Sequence, residues 1–261
     1  MINDRIKERI EHVPGDIGIY YINTATSEGC FAGNCDIFPA SGAVMLFPLI
    51  EAFRRIDGGT LDKHQKYRLR KSDYINYDAA FGAIGCLHEG IDLTVEDLYQ
   101  LMTSVSDNVA FNILLDILGM ENINATIRSM GFSKSEINRK IYDFDAMAKG
   151  VENYLSISEM GVMFDRIYRG QMISEKASRD MTEVMSKNQR TDVIPYCFSE
   201  TVKVAHISGL DDDALVDCGT VYCDHPFILA MASAHIDRRK VEAMMRDVTM
   251  LCFRDASGES L

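Results

Sequence analysis

The chain contains no tryptophan, only five prolines and no apolar run long enough to cross a bilayer. A transmembrane helix needs roughly 20 mainly apolar residues, so the sequence predicts no membrane partner. Residues 1–10 mix charged and apolar side chains and lack the apolar core of a secretory signal. We therefore expect a cytoplasmic protein.

Positive charge is scarce as well, because 27 Lys and Arg residues stand against 39 Asp and Glu residues, a formal net charge of −12. This balance opposes binding to nucleic acid and to anionic membranes. The seven cysteines are odd in number and lack metal-ligand spacing, and the histidines do not cluster. Free thiols, no metal site and no cofactor are expected. The sequence makes no prediction of the oligomeric state.

Hydrophobic residues at 47% and charged residues at 25% of 261 residues are typical of a globular protein that can bury a sizeable core. Periodicity predicts helices near residues 2–13, from the 38–48 stretch to about 55, and near 94–102, 109–118, 122–130, 156–168, 175–187 and 237–253. It predicts strands near residues 17–22, 30–31, 202–208, 215–223 and 227–235. This order favours an α+β fold in which the first strands pair with the last.

Helix starts are marked by capping signals. Thr94 precedes Asp97 by three residues, and Ser156 precedes Glu159 by the same spacing, which is typical of an N-terminal cap. Residues 132–155 carry little periodicity and are expected to form a long loop. Residues 61–90 are interrupted by glycines and receive no assignment.

The stretch Phe38–Pro48 places small residues at the start of an apolar helix. Such a start leaves room for a ligand beside unpaired backbone N–H groups and the positive end of the helix dipole. An ordinary buried helix start shows the same pattern. Both interpretations stay open on this stretch alone.

Three short stretches at set distances carry a family resemblance. Ser106-Asp107-Asn108 lies between two apolar helices, the strand ending Ile207-Ser208-Gly209 follows in the last third, and Phe38–Pro48 precedes both. Over residues 15–253 the chain resembles the class A β-lactamase and penicillin-binding transpeptidase family, whose motifs are Ser-x-x-Lys, Ser-Asp-Asn and Lys-Thr-Gly.

The resemblance implies a serine β-lactamase-like fold, with an antiparallel sheet built from the N-terminal hairpin and the C-terminal strands, and a helical subdomain. We expect a single domain over residues 1–261. Its α/β part would cover about residues 1–55 and 190–261, and its helical part about residues 56–189.

The resemblance also assigns roles to the second and third motifs. Ser106 would relay a proton, and Asn108 would hydrogen-bond a substrate amide. Ser208 keeps a hydroxyl that could contact a carboxylate, whereas Ile207 removes the ammonium group of the usual lysine.

The first motif departs most from the family. The alignment places Gly42 at the nucleophile and Met45 at its lysine partner; shifting it by one residue gives Ser41 followed by Val44, and neither register yields Ser-x-x-Lys. Asp145 aligns with the loop carboxylate that activates the deacylating water, although it could equally cap or solvate its loop.

These substitutions predict a homologue without the usual hydrolysis, since Gly42 has no side chain to acylate and Met45 cannot accept a proton. The backbone N–H groups of Gly42 and Leu210 could still form an oxyanion-hole pair. We expect the former cleft to bind a small-molecule ligand, a carboxylate being the class considered, or a partner. The residues expected to contact it are Ser41, Gly42, Ser106, Asn108, Ile207, Ser208, Gly209 and Leu210.

A divergent serine hydrolase with weak β-lactam, ester or amide hydrolysis is the alternative. Ser41 or Ser106 would be its nucleophile, and Asp145 or Asp107 its base. His206 is not expected to help, because strand alternation points it away from the face of Ile207.

Overall fold

A computed structural model describes residues 1–75, 81–212, 214–235 and 237–259. Its strands are β1 (Asp16–Asn23), β2 (Glu28–Gly33), β3 (Ile37–Pro39), β4 (Lys66–Arg68), β5 (Asp92–Thr94), β6 (Tyr154–Ser156), β7 (Lys203–Leu210), β8 (Ala214–Tyr222) and β9 (Phe227–Ala234). Its helices are α1 (Ile2–Ile10), α2 (Leu46–Asp57), α3 (Val95–Ser104), α4 (Asn108–Leu118), α5 (Met120–Ser129), α6 (Phe144–Ala148), α7 (Ile157–Tyr168), α8 (Glu175–Met185) and α9 (Arg238–Ala256).

Five strands form one antiparallel sheet in the order β2-β1-β9-β8-β7. The predicted hairpin is β1 with β2, and β1 pairs with β9 from Asp16 opposite Ala234 to Asn23 opposite Phe227. The prediction of an α+β fold whose first strands pair with the last is therefore confirmed. The order also leaves β7 at an edge of the sheet.

The sheet separates two apolar layers. On one face, α1 and α9 pack against each other and against the sheet. On the other face, α7 packs against β1, β8 and β9, and a 3₁₀ turn at residues 41–45 packs against β7 and β8. Side chains alternate along each strand, so Val204 faces α9 whereas Ala205 and Ile207 face the helical layer.

The predicted helix caps are present. The Thr94 hydroxyl accepts a hydrogen bond from the Asp97 N–H at 3.0 Å, and the Ser156 hydroxyl accepts one from the Glu159 N–H at 3.2 Å. For the helix expected at Val109, the cap is Asp107, and α4 begins one residue earlier at Asn108.

The N-terminal helix is shorter than the predicted 2–13 and ends at Ile10. Pro14 disfavours helical backbone at Val13, the residue before it. The stretch predicted as a loop, residues 132–155, contains α6, and its end forms part of β6, which pairs with β3. Side chains within the loop anchor it, since Asn153 Oδ1 accepts hydrogen bonds from the N–H groups of Asn138 and Arg139.

The unassigned stretch 61–90 contains β4, which pairs with β5, and two short 3₁₀ turns. Residues 76–80 of this stretch lie outside the described residues. None of the helices in the described ranges is long and apolar enough to span a bilayer.

Gly161 lets α7 lie against the sheet. A Cβ atom added there would lie 2.2 Å from Cδ1 and 2.9 Å from Cε1 of the Tyr20 ring on β1. An alanine in place of a glycine inside a helix ordinarily stabilises by about 1 kcal/mol. Overpacking a rigid ring costs about 1–3 kcal/mol, so the steric effect should win.

We predict that Gly161→Ala lowers the melting temperature by a few degrees, as measured by circular dichroism. Gly85→Ala is the control, because an added Cβ there meets no atom of the described residues within 4 Å, and it should leave the melting temperature unchanged. A Gly161→Ala protein as stable as the wild type would contradict the packing argument.

Candidate functional site

The cleft suggested by the sequence begins at the 3₁₀ turn Ser41–Met45, which leads into α2. Ser41 has a φ of 46°, in the left-handed region that is uncommon for residues other than glycine. The turn then buries Ala43, Val44 and Met45 completely or nearly so. A strained residue therefore stands directly before Gly42, the position that the family alignment gives to the nucleophile.

The edge strand β7 passes unusually close to this turn. A Cβ atom added to Gly42 would lie 2.9 Å from the Ser208 carbonyl oxygen and 3.2 Å from Gly209 Cα. A Cβ atom added to Gly209 would lie 2.6 Å from Gly42 N and 2.7 Å from Ala43 N. Since these neighbours are backbone atoms, only glycine fits on either side without a shift of the strand or the turn.

The hydrogen-bond ladder between β7 and β8 determines which N–H groups of β7 point to the free edge of the sheet. The Asp211 N–H donates to the Ala214 carbonyl at 2.9 Å. Antiparallel ladders alternate, so the Leu210 N–H points away from β8 toward the free edge. Gly42 and Leu210 thus lie on facing segments, as expected for the two N–H groups of an oxyanion-hole pair.

The two positions aligned with family lysines are apolar and buried. Met45 is 1% exposed and Ile207 is 2% exposed, and both belong to the core of the helical layer. Neither side chain can accept a proton or carry a charge. The interior beneath Gly42 is accordingly a hydrophobic core.

Asp107 holds the second motif in place. Its fully buried carboxylate accepts hydrogen bonds from the N–H groups of Ala83 at 2.6 Å, Ile84 at 2.8 Å and Ala110 at 2.9 Å. Both oxygens are occupied by backbone donors, so Asp107 is poorly placed to act as a base.

Ser106 and Asn108 are brought together on either side of Asp107. Ser106 has a φ of 54° and is 7% exposed. With its amide oriented to satisfy its neighbours, Asn108 donates to the Ser106 carbonyl at 3.0 Å and accepts from the Phe81 N–H at 3.1 Å. Asn108 must give up one of these bonds to contact a ligand amide.

The segment before β7 contacts both the region of the second motif and β7 itself. The Gln189 N–H donates to the Ser104 carbonyl at 2.8 Å, and Asn188 Nδ2 donates to the His206 carbonyl at 3.3 Å. The Arg190 guanidinium carbon lies 5.2 Å from the centre of the exposed Phe81 ring. Sequence reasoning passed over Arg190, which belongs to no motif.

Asp145 lies on the short helix α6 with an exposed side chain. Asp143 caps this helix, accepting a hydrogen bond from the Ala146 N–H at 3.0 Å. The capping role considered for this loop is therefore filled by Asp143, and a role for Asp145 stays a prediction.

A different carboxylate, that of Asp211, lies near Ser41. Burial and the neighbouring Glu152 carboxylate raise the pKa of Asp211 above its ordinary value, while the Ser41 hydroxyl acts in the opposite direction. Within the described ranges, the buried Ser41 Oγ has no partner at hydrogen-bond distance. The sequence signal for Asp211 was its position directly after Leu210.

A second polar group missed by sequence reasoning lies on the α9 face of β7. His206 Nδ1 lies 2.8 Å from Asp217 Oδ1, and each residue is 1% exposed. Alternation does turn His206 away from Ile207, but it places His206 on the same face as Ser208, two residues on. His206 Nε2 and Ser208 Oγ are both buried and have no partner among the described residues.

The α+β architecture, with a cleft between a sheet edge and a helix start, is that of the serine β-lactamase class. The family model described as the beta-lactamase enzyme family matches residues 1–255. The chain therefore belongs to the β-lactamase enzyme family.

Solved structures establish the same fold. The β-lactamase of Sphaerobacter thermophilus DSM 20745 superimposes with a TM-score of 0.89 at 22% identity, covering 100% of this chain and 98% of that one. PBP-A superimposes with a TM-score of 0.87 at 18% identity, covering 98% and 96%. A PBP-A variant has been solved as an acyl-enzyme complex with penicillin G.

Among curated proteins, β-lactamase L2 of Stenotrophomonas maltophilia is 26% identical over 107 residues. This match covers 40% of the chain and only 35% of the relative. The detectable sequence similarity thus spans about a third of that protein's length.

We predict that Asp107→Ala destabilises the protein by about 3 kcal/mol or more, because it leaves buried backbone donors without their charged acceptor. Urea denaturation should show this change. Asp145→Ala is the matched control, since its exposed side chain should contribute within about 0.5 kcal/mol. Equal stability of the two variants would show that Asp107 does not hold the second motif.

Proposed function

We propose that this chain is a β-lactamase-family protein that does not hydrolyse its ligand through a serine acyl-enzyme and instead binds a small molecule in the former cleft. The observation that carries the proposal is the pairing of Gly42 with the buried apolar residues Met45 and Ile207. The positions that the alignment gives to the nucleophile, its base and the second cation therefore all carry residues without these groups.

Each replacement removes a separate requirement of acyl transfer. Gly42 offers no hydroxyl, and Met45 offers no base that could activate one. Ile207 removes a positive charge from the side of the cleft. In enzymes where such groups act as a unit, losing one member costs factors of about 10⁴–10⁶ in rate, and further losses add little.

Features suited to ligand binding remain. The Leu210 N–H points to the free edge of β7 opposite Gly42, and a carboxylate or carbonyl oxygen could accept from this pair. The buried Ser208 hydroxyl has no partner in the part of the chain that the structure describes, and it would gain a hydrogen bond by donating to a ligand oxygen. These donors favour an anionic or carbonyl-bearing small molecule.

A divergent hydrolase is the second candidate, and one observation favours it. The Asp217 carboxylate lies against Nδ1 of His206, so in the neutral imidazole with its proton on Nδ1 the acceptor is Nε2, and His206 shares its strand face with Ser208. This arrangement contains a base and the group that orients it, but the cavity beside Ser208 measures only about 10 Å³. Such a volume holds about one water molecule, so a substrate would have to open it.

We predict that intact-mass measurement after incubation with benzylpenicillin finds the wild-type protein unmodified, while the same ligand at millimolar concentration raises the melting temperature. A penicillin-binding protein treated in parallel is the positive control. Gly42→Ser alone should also stay unmodified, because its side chain would displace the turn or β7 and Met45 still cannot act as the base. A stoichiometric adduct on the wild type would contradict the proposal.

Measurements on the same samples also test the divergent hydrolase. An adduct mapped to Ser208, or turnover of a chromogenic cephalosporin that falls in both Ser208→Ala and His206→Gln, would support the hydrolase. Ser106→Ala then separates this route from one through the Ser-Asp-Asn motif.

A further inference from the structure

We propose that the free edge of β2, together with the groove between this edge and α1, binds an extended basic peptide segment of a partner protein as an added β-strand. β2 forms the edge of the sheet opposite to β7, and this surface contains none of the residues assigned to the candidate cleft. The inference therefore goes beyond the proposed ligand-binding function and does not depend on it.

The hydrogen-bond ladder between β1 and β2 determines which backbone groups of β2 point outward. The Asn34 N–H, one residue beyond β2, donates to the Ile17 carbonyl at 3.0 Å. Because the pairs of an antiparallel ladder alternate, the N–H and C=O groups of Gly29, Phe31 and Gly33 point away from β1. Within the described ranges, no hydrogen bond from outside the β1–β2 ladder reaches these groups.

β2 lacks features that usually protect an exposed edge strand. Natural proteins place lysine or proline on such edges or cover them with another element, yet the sequence from Glu28 to Gly33 contains neither Lys nor Pro. Gly29 and Gly33 are exposed and have no side chain that would shield the backbone. The β7 edge differs, because the 3₁₀ turn Ser41–Met45 packs against it. The β2 edge is therefore the one on which another strand can pair.

A groove continues this edge on the side of α1. Its volume is about 530 Å³ and it reaches Gly33 itself, and ligand pockets typically measure about 300–1,000 Å³. Ile10, Val13 and Ile17 supply the apolar part of its surface. Ala32 belongs to the same apolar layer as Ile10, so every second side chain of an added strand would face α1 and the groove.

The charges that line the groove are mainly negative. The carboxylates of Asp4, Glu8 and Glu11 outnumber the single ammonium group, that of Lys7. Glu8 Oε2 lies 3.5 Å from Arg5 Nη1, whereas Glu11 makes no ion pair in the part of the chain that the structure describes. Complementary charge across an interface selects the partner, so this groove favours a segment that carries Lys or Arg side chains.

A second copy of the chain fits this surface less well than a basic segment does. Two β2 edges could pair about Phe31, but both copies would bring the same acidic groove and a formal net charge of −12 to the interface. Like charges placed together across an interface suppress binding. A basic strand gains the main-chain hydrogen bonds that provide affinity in strand addition, and the groove receives its alternate side chains.

Three short peptides test this surface on the full-length protein. The first alternates Lys and Val, the second has Glu in place of each Lys, and the third is the first peptide with an N-methyl group on every backbone nitrogen. Binding is followed by ¹H–¹⁵N NMR titration and amide hydrogen exchange. At saturation the basic peptide should slow exchange of the Gly29, Phe31 and Gly33 amides about tenfold. The acidic peptide should bind more weakly, and the N-methylated peptide should leave these amides unprotected.

A matched pair of charge-reversal variants tests the acidic groove. Glu11→Lys should weaken binding of the basic peptide about fivefold, as expected for one exposed charge pair. Glu200→Lys makes the same charge change at an exposed residue outside the groove, and it should bind the peptide as the wild type does. Wild-type-like spectra of both variants report an intact fold.

Every other outcome contradicts the proposal. Unchanged exchange at Gly29, Phe31 and Gly33 with millimolar basic peptide refutes strand addition, as does equal binding of the N-methylated peptide. Equal affinities for the acidic and basic peptides, or an unaltered affinity in Glu11→Lys, refute the charge preference. Protection that rises with protein concentration alone, together with a dimer in sedimentation, assigns the edge to a second copy. None of these results changes the proposed function of the cleft, which the penicillin experiments test separately.

Discussion

The close approach of β7 to the turn at Gly42 is the constraint on which the rest of the site depends. Backbone atoms of Ser208 and Gly209 lie so near the turn that a Cβ on either Gly42 or Gly209 would fall within 3 Å of a backbone atom. This contact fixes the sheet edge against the start of α2. It also brings the backbone of Gly42 against the edge of β7 to which the Leu210 N–H points.

Burial explains how apolar residues fit at the two positions that the alignment gives to family lysines. An unpaired lysine in an apolar interior carries a desolvation penalty, whereas Met45 and Ile207 at those positions join the core. The Ser-Asp-Asn motif persists for a separate reason. Asp107 is the cap of α4 and the acceptor that ties the segment at Ala83 and Ile84 to it.

Much of the fold could be predicted because its signals are local. The caps at Thr94 and Ser156, the hairpin and the strand alternation each depend on neighbouring residues, and all appear in the structure. The short strands β4 and β6 could not be predicted. Each is three residues long and exists only because a distant segment pairs with it.

Residues of the candidate site could be proposed from the sequence only where a motif includes them. The alignment identified Gly42, Met45 and Ile207, whereas Arg190, Asp211 and Asp217 depend on how separate segments meet. Strand alternation by itself places His206 and Ser208 on the same face of β7, although the prediction from it concerned only His206 and Ile207. The rest of the candidate site is formed by contacts across the sheet edge between segments that are far apart in the sequence. No local sequence pattern predicts such contacts.

The central claim is that the cleft binds without forming a covalent bond. A ¹H–¹⁵N NMR titration of the wild-type protein with benzylpenicillin tests it most directly. The account predicts saturable shifts centred on Gly42 and Ser208–Leu210 that vanish when the ligand is removed by dialysis. A new set of peaks that persists after dialysis, or no shift at these residues, would contradict it.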